Sequence, residues 1–476
     1  AWSAFRAGAL GYSQGVLVAG QAAEIEWGCS EKDPRSAETG VTPMKKHMYR
    51  AVAVEKIRPT ELHEKASEGR LTFGCDAAKE DWKAAFMDSE RRVVSVIAFK
   101  IPKDLETVLG LLSELRELGR DVDVVAEVTG TYAEAFADSV RRAGWPMHAV
   151  KAAHVSNYSL IWDGVPSSHD SKAACVIAAL HLERPAPLWR EWTDDERVLR
   201  AYARQCHALK QSSLKDRNRL EALLAMFWPE LTRMLPLDRV SVRKLLAKYG
   251  SAQAVAAEPE QAARDLKKWS RNALKTDKIR RVVSDAESCR GRRPLPSEVE
   301  EIQWLARRVD EAEAQLTLLE KKVEASILEM RVAKTLTRRL GMMTTAMLFA
   351  AGCDPSRFPN ARSLLKFLGL NLKERSSGKY KGALKITKCG NARARWWLYL
   401  AALRLLIDCP VAKAWVDEKA KRSNKMKAIV ALMRKLVAAL PHLARGEAYD
   451  PHKLFDVTRL KRLKQLPESF PTVTAA

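Results

Sequence analysis

Two carboxylates stand at the ends of apolar runs: Asp76 closes Phe73-Gly74-Cys75-Asp76, and Glu127 closes Val124-Val125-Ala126-Glu127. Magnesium takes oxygen ligands and keeps several waters, so two or three such carboxylates beside a phosphate are enough to hold it. Either acid alone reads as a solvated strand end. The pair gains a metal role only if the fold lays its two strands side by side. A third feature is the Ser376-Ser377-Gly378 turn, set among Arg375, Lys379, Lys381 and Lys385. A serine that attacks a DNA phosphate needs an exposed, flexible turn and nearby cations to balance the developing charge. Taken alone, a Ser-Ser-Gly turn is also an ordinary loop.

The elements around the acids read as an α/β domain. Strand patterns cover Leu71 to Asp76, Asp81 to Asp88 and Arg91 to Phe99. A helix follows from Lys103 to Leu118, with Leu105, Val108, Leu109, Leu112 and Leu115 on one face. Then come a strand from Val122 to Val128, a helix from Tyr132 to Ala143 and a strand from Met147 to Lys151. The order β-β-β-α-β-α-β, followed by helix, is that of the RNase H-like (RuvC-like) fold. Its first and fourth strands are neighbours, which would bring Asp76 and Glu127 together.

Beyond Pro187 the chain becomes helical and highly charged. Ile302, Leu305, Val309, Ala312, Leu316, Leu319 and Val323 recur at spacings of three and four, continuing to Met330. This is a coiled-coil pattern, and a helical hairpin folding on itself gives the same spacing. Pairing between chains would make a homo-oligomer, a dimer or tetramer. From about Leu336, shorter helices are punctuated by Gly341, Gly352, Gly369, Gly378, Gly382 and Gly390, turns that allow backbone to approach a phosphate closely. Trp396 and Trp397 are adjacent on a basic helix and point about 100° apart, so at most one faces nucleic acid and packing is the stronger expectation for both.

With 81 Lys and Arg against 58 Asp and Glu, the 476-residue chain carries a formal charge of +23 while 47% of its residues are apolar. A folded protein of this balance is drawn to a polyanion, nucleic acid before membrane surface. The eight cysteines are scattered, with none at the two-residue spacing of a zinc or redox pair, so reduced thiols in a cytosol are expected. No apolar run approaches the roughly 20 residues of a bilayer span, and no membrane partner is expected. The first methionine is Met44, and residues 1–43 are expected to be upstream translation or a poorly ordered extension.

The motifs carry a resemblance. Asp76 with its following Ala-Ala-Lys, and Glu127 in Glu127-Val128-Thr129-Gly130-Thr131-Tyr132, are similar to the first two acids of the insertion-sequence transposases of the 110 family. Those proteins have an Asp-Glu-Asp-Asp tetrad and are related to the Piv DNA invertase. Their last two acids sit three apart on a late helix; the matching stretch here is Ser168-His169-Asp170-Ser171-Lys172-Ala173-Ala174. Asp170 fits the third acid, whereas Ala173 fills the fourth place. His169 or Asp163 could compensate, one metal could be weakly held, or the copy could have decayed. Further on, Phe367-Leu368-Gly369-Leu370, the Ser376-Ser377-Gly378 turn, and Lys388-Cys389-Gly390-Asn391 resemble the family's C-terminal elements in order. The resemblance extends to Lys427-Ala428-Ile429-Val430-Ala431 and departs at Arg338-Arg339-Leu340-Gly341.

The resemblance implies a DNA transposase or site-specific recombinase. Asp76, Glu127 and Asp170 would bind Mg²⁺, Ser377 would be the nucleophile, donor and target DNA would be partners, and a structured guide RNA encoded by the element would choose the sequence. Association with the nucleoid follows from that activity. Residues 1–70 are expected as an N-terminal extension, 71–190 as the RuvC-like domain, 191–335 as a helical and coiled-coil region, 336–450 as the serine transposase domain and 451–476 as a tail. The competing reading is a decayed transposase that only binds DNA or RNA.

Overall fold

The computed structural model describes residues 49–128, 131–378 and 380–463, so residues 1–43, Thr129, Gly130 and Lys379 of the motifs above lie outside it. The chain divides into two compact units between Arg190 and Glu191.

The first unit is built on six strands: β1 (Ala51–Ala53), β2 (Leu71–Asp76), β3 (Asp81–Met87), β4 (Val93–Lys100), β5 (Val122–Glu127) and β6 (Met147–Val150). Their spatial order is β1-β4-β3-β2-β5-β6. Strands β2, β3 and β4 form an antiparallel meander, while β2, β5 and β6 run parallel. The five strands read from the sequence thus take the RNase H-like arrangement. β1 joins as a sixth strand, parallel to β4, in a stretch whose three residues are too few to show a period.

Strands β2 and β5 are buried on both faces along their whole length except the last residue, as expected for central strands with near-continuous apolar runs. One face is covered by α1 (Pro59–Lys65), α2 (Leu105–Glu117) and α3 (Tyr132–Arg142), which pack Leu62, Leu112, Leu115 and Phe136 around Phe73 and Val124. The opposite face is covered by α4 (Ala152–Trp162) and α5 (Asp170–Glu183).

The second unit is helical. Two long helices, α6 (Asp194–Phe227) and α12 (Pro296–Glu329), frame it, and five shorter ones lie between them in sequence: α7 (Pro229–Met234), α8 (Val240–Tyr249), α9 (Ala252–Ala257), α10 (Pro259–Trp269) and α11 (Thr276–Glu287). Lys210 pairs with Glu320 at 2.9 Å, Arg308 with Asp216 at 3.0 Å, and Arg219 with Glu301, so α6 and α12 run antiparallel. Of the heptad positions, Ile302, Leu305, Val309, Leu316 and Val323 are buried within the chain and Ala312, Leu319 and Met330 are half-buried, while Ile327, which the heptad did not include, is buried beside them. The structure therefore shows the helical hairpin, one of the two arrangements that the heptad allows.

The five short helices close a separate apolar core at one end of the hairpin, around Phe227, Trp228, Leu245 and Leu266. The other end merges with α13 (Arg331–Leu340), α14 (Met342–Ala350), α15 (Ala361–Phe367), α16 (Ala392–Asp408), α17 (Pro410–Lys421) and α18 (Lys425–Ala444). Two short helices, α19 (Pro451–Leu454) and α20 (Val457–Arg462), finish the described residues. No described helix is long and apolar enough to cross a membrane.

Candidate active site

The parallel pairing of β2 with β5 sets Cys75 opposite Ala126, so Asp76 and Glu127 are the next residues on adjacent strands. Both are the first residues of their strands to leave the buried interior. Asp170 reaches them from α5, where it is the first helical residue. Close approach of that helix depends on Gly74: a Cβ there would stand 2.5 Å from the Ala178 nitrogen and 2.6 Å from the Ala174 oxygen. With only hydrogen at position 74 and alanines facing it, α5 rests directly on β2.

Electrostatics bind the three acids into one site. Burial, then the charge of Asp170, then that of Glu127 push the Asp76 carboxyl up to about 6, and burial raises Glu127 as well. None of the three makes an ion pair or side-chain hydrogen bond with a described residue. An all-oxygen set, partly desolvated and lacking a counter-charge, fits a hard divalent cation such as Mg²⁺. A cation there would relieve the repulsion that the fold maintains.

The compensating groups considered for the fourth place are engaged elsewhere. Asp163 accepts from Lys172 Nζ at 2.6 Å, from the Tyr49 hydroxyl at 2.7 Å and from the Val165 amide at 3.0 Å. Burial opposes its ionisation, yet these bonds outweigh it and hold the carboxyl at about 2. His169 caps α5, its Nδ1 accepting the Lys172 amide at 3.2 Å, and its ring lies edge-on to Tyr49. In the neutral ring the other nitrogen then carries the proton and offers no lone pair. Ala173 sits one turn beyond Asp170, its amide bonded to the His169 carbonyl at 3.0 Å.

Sequence reasoning missed a second titratable group at the other end of β5. Asp123, His148 and His181 bring one ligand atom each within 4.8 Å of one another, a spacing that could surround an ion. The hydrogen bonds assign them otherwise. Arg70 donates to Asp123 at 2.8 Å, and Ala186 donates its amide to His181 Nδ1 at 3.2 Å, which leaves the proton on the nitrogen facing Asp123. Burial first, and the neighbouring His148 second, lower the His181 pKa. The network ties β5, β6 and α5 together about 13 Å along the strand from Glu127. Its members are far apart in sequence and on three elements, so no spacing announced them.

The serine turn belongs to the second unit. Short strands β7 (Leu372–Lys373), β8 (Ser376–Ser377), β9 (Tyr380–Lys381) and β10 (Lys385–Ile386) form two antiparallel pairs, β7 with β10 and β8 with β9. Ser377 pairs with Tyr380 across the tip, and Gly378 turns the chain with φ of +53°. Ser376, Ser377, Arg375 and Lys385 are all exposed. Below the tip, Gly369 and Gly390 cross in van der Waals contact: a Cβ on Gly369 would meet the Cys389 amide at 2.9 Å. Arg395 locks this crossing by donating to the Leu368 and Gly390 carbonyls at 3.1 and 2.9 Å. Asn391 caps α16 through the Ala394 amide.

Two sequence families coincide with these two sites. Residues 73–229 match the IS110-type DEDD transposase model, described as transposase, and residues 337–416 match the transposase IS116/IS110/IS902 family. The chain belongs to the IS110 family of DEDD transposases. It is 24% identical over 293 residues to an insertion element IS110 uncharacterized 43.6 kDa protein of Streptomyces coelicolor, covering 59% of this chain and 72% of that one. It is 29% identical over 204 residues to the putative transposase y4qE of Sinorhizobium fredii, covering 40% of this chain and 49% of that one.

In this transposase the first matched segment contains Asp76, Glu127 and Asp170, and the second contains Ser377. Trp397 is buried in the core of the second unit, while Trp396, at right angles to it, is 53% exposed. Packing thus claims one tryptophan and leaves the other at the surface.

Proposed function

We propose that this transposase cuts and rejoins DNA strands of a mobile element, acting as a site-specific recombinase. The observation that carries the proposal is the carboxylate trio, in which burial first and the charges of Asp170 and Glu127 second raise Asp76 to about 6 with no described counter-charge. Asp76, Glu127 and Asp170 hold Mg²⁺, which supplies Lewis-acid stabilisation of phosphate charge when bound. Ser377 is the nucleophile. Its oxygen bonds to the phosphorus as the phosphorus–sugar oxygen bond breaks, and attack by a hydroxyl of the new strand returns the serine. Arg375 and Lys385 on the same hairpins balance the added negative charge.

The same reading includes a structured RNA from the element that pairs with donor and target DNA, leaving the protein to grip backbones; the charge of +23 supports such partners. It also includes homo-oligomers, supported by Leu318 and Leu328, which α12 leaves exposed outside the hairpin. Such a protein would work at the nucleoid.

A second reading is favoured by Ala173. A transposase without its fourth acid, and with Asp163 and His169 engaged, would retain nucleic-acid binding alone. The two are separated by trapping covalent protein–DNA adducts with Mg²⁺ present. Ser377→Ala abolishes the adduct and keeps DNA binding under the first reading, and Asp76→Asn reduces it by orders of magnitude. A parent chain that binds DNA and forms no adduct establishes the second reading.

A further inference from the structure

We propose that the corner between α10 and α11 is a docking surface for the phosphate backbone of duplex DNA. This rests on the reading of the chain as a transposase that acts on DNA, and assigns a part of it outside both active-site segments. Lys267 and Lys268 lie in the last turn of α10, Arg271 in the connection, and Lys275, Lys278 and Arg281 along α11. All six are exposed, and none forms an ion pair with a described residue. Of the acids beside these cations, Asp265 accepts from Lys248 at 2.6 Å and from Tyr249 at 3.0 Å, and Asp277 lies 3.9 Å from Arg280.

The backbone gathers these cations at one corner. Arg271 and Asn272 take left-handed conformations, with φ of 51° and 59°, and their amides bond back to the Lys268 and Lys267 carbonyls. That reversal brings the end of α10 to the start of α11. On α11 the buried residues are Ile279, Val282 and Ala286; Lys278 and Arg281, three apart, turn progressively off that face, and Lys275 is exposed at the N-cap. Helix dipoles explain Lys267 and Lys268, which sit at a C-terminus. They oppose Lys275 and Lys278, which crowd the positive end of α11, where Lys275 stands at the N-cap with no side-chain cap bond. Cations placed against the dipole do not serve helix stability; they serve an anion.

A duplex fits better than a single strand. Unpaired bases are held by exposed aromatic platforms, and the one aromatic from α10 through α11, Trp269, packs against the module's own core. Along α11 the cations from Lys275 to Arg281 extend over about 9 Å, and Lys267, Lys268 and Arg271 continue the basic surface onto the end of α10, so the corner can meet consecutive phosphates of a strand.

The test uses the full chain and a 30-base-pair duplex of arbitrary sequence, with a single strand and an RNA duplex of equal length as the other arms. Lys268→Gln, Arg271→Gln, Lys275→Gln and Lys278→Gln are combined. The log–log salt slope for duplex DNA should become shallower by about 3 to 4, roughly 0.9 for each phosphate no longer neutralised, with an unchanged thermal unfolding profile. Neutralising Arg58, Lys65, Lys103 and Arg142 instead, exposed on the first unit, should move the slope far less. Equal slopes for the parent and the corner variant overturn the proposal, as does an equal effect from the control set. A loss confined to the single strand or to the RNA duplex overturns the assignment to duplex DNA. Adduct formation by Ser377 at saturating DNA is read separately: its absence in the parent defeats the catalytic reading while leaving the corner's slope decisive for this one.

Discussion

Asp76 and Glu127 occupy the positions just beyond the Cys75–Ala126 pair of two parallel strands, so their carboxylates leave the sheet together on the same side. The sheet's own hydrogen bonding enforces this neighbourhood, and α5 adds Asp170 to it. The cost is like-charge repulsion in a partly buried site.

That cost has a pH signature. Folding raises Asp76 from 3.8 to about 6, so the folded chain holds a proton that the unfolded chain releases. In the metal-free protein stability therefore falls as pH rises from about 4 through 6. Asp76→Asn removes the penalty and should stabilise the metal-free chain above pH 6 by about 1–2 kcal/mol, after allowance for partial exposure. Mg²⁺ should bind the parent more tightly as pH rises through 6 and erase most of its pH dependence. Denaturant titrations at pH 4.5 and 7.5, with and without Mg²⁺, check this; a flat profile without metal would contradict the coupling.

Gly74 is the contact on which α5 rests. Gly74→Ala drives a methyl group into the Ala174 carbonyl and the Ala178 amide, so the helix must lift. The expected destabilisation is at least about 1–3 kcal/mol, the range for overpacking. Mg²⁺ affinity should fall with it, because Asp170 moves with the helix. Urea unfolding and calorimetric Mg²⁺ titration read the two effects, and unchanged values for both would show that the site tolerates a raised helix.

Much of this architecture was legible in the residues. Strands with the period and apolar content of β2 and β5 must be central, and an acid at the end of each is then the first side chain free of the core. The heptad from Ile302 to Met330 was equally clear, but a seam of apolar residues does not state its partner. α6 supplies it within the chain, through residues such as Leu199 and Leu220 whose spacing alone pointed nowhere. The Asp123–His148–His181 network and the engagement of Asp163 by Lys172 and Tyr49 are tertiary in origin. They join residues 9 to 114 apart in sequence, and no local pattern encodes them.

The hairpin yields a paired prediction. Leu316 is buried, 4% exposed, and Leu318 is 62% exposed on the same helix. Leu316→Asp places an unpaired charge in the core and should cost about 3–5 kcal/mol. Leu318→Asp should change stability by less than about 0.5 kcal/mol and, if the hairpin mediates assembly, lower the mass in solution. Light scattering and thermal unfolding of both variants settle it: an unchanged mass for Leu318→Asp removes this face from any oligomer.

Ala173 offers the sharpest test of what the chain has retained. Residues three apart on a helix share a face, so a carboxylate at 173 points with that of Asp170 toward the end of β2. Neither Asp163 nor His169 is free to occupy that place. Ala173→Asp should therefore raise Mg²⁺ affinity by about tenfold or more, the lower end of what supporting groups contribute to metal sites. It should also raise Asp76 further in the metal-free chain, lowering stability at neutral pH until Mg²⁺ is added. Strand exchange on a supercoiled substrate separates the two functional readings. A chain impaired only by its missing ligand gains exchange activity together with affinity. If affinity rises while exchange stays absent, the defect lies beyond the metal site, and the chain is a binding protein. If the parent already recombines DNA at full rate and the substitution changes neither quantity, position 173 is not the fourth acidic place, and the three acids at 76, 127 and 170 are sufficient.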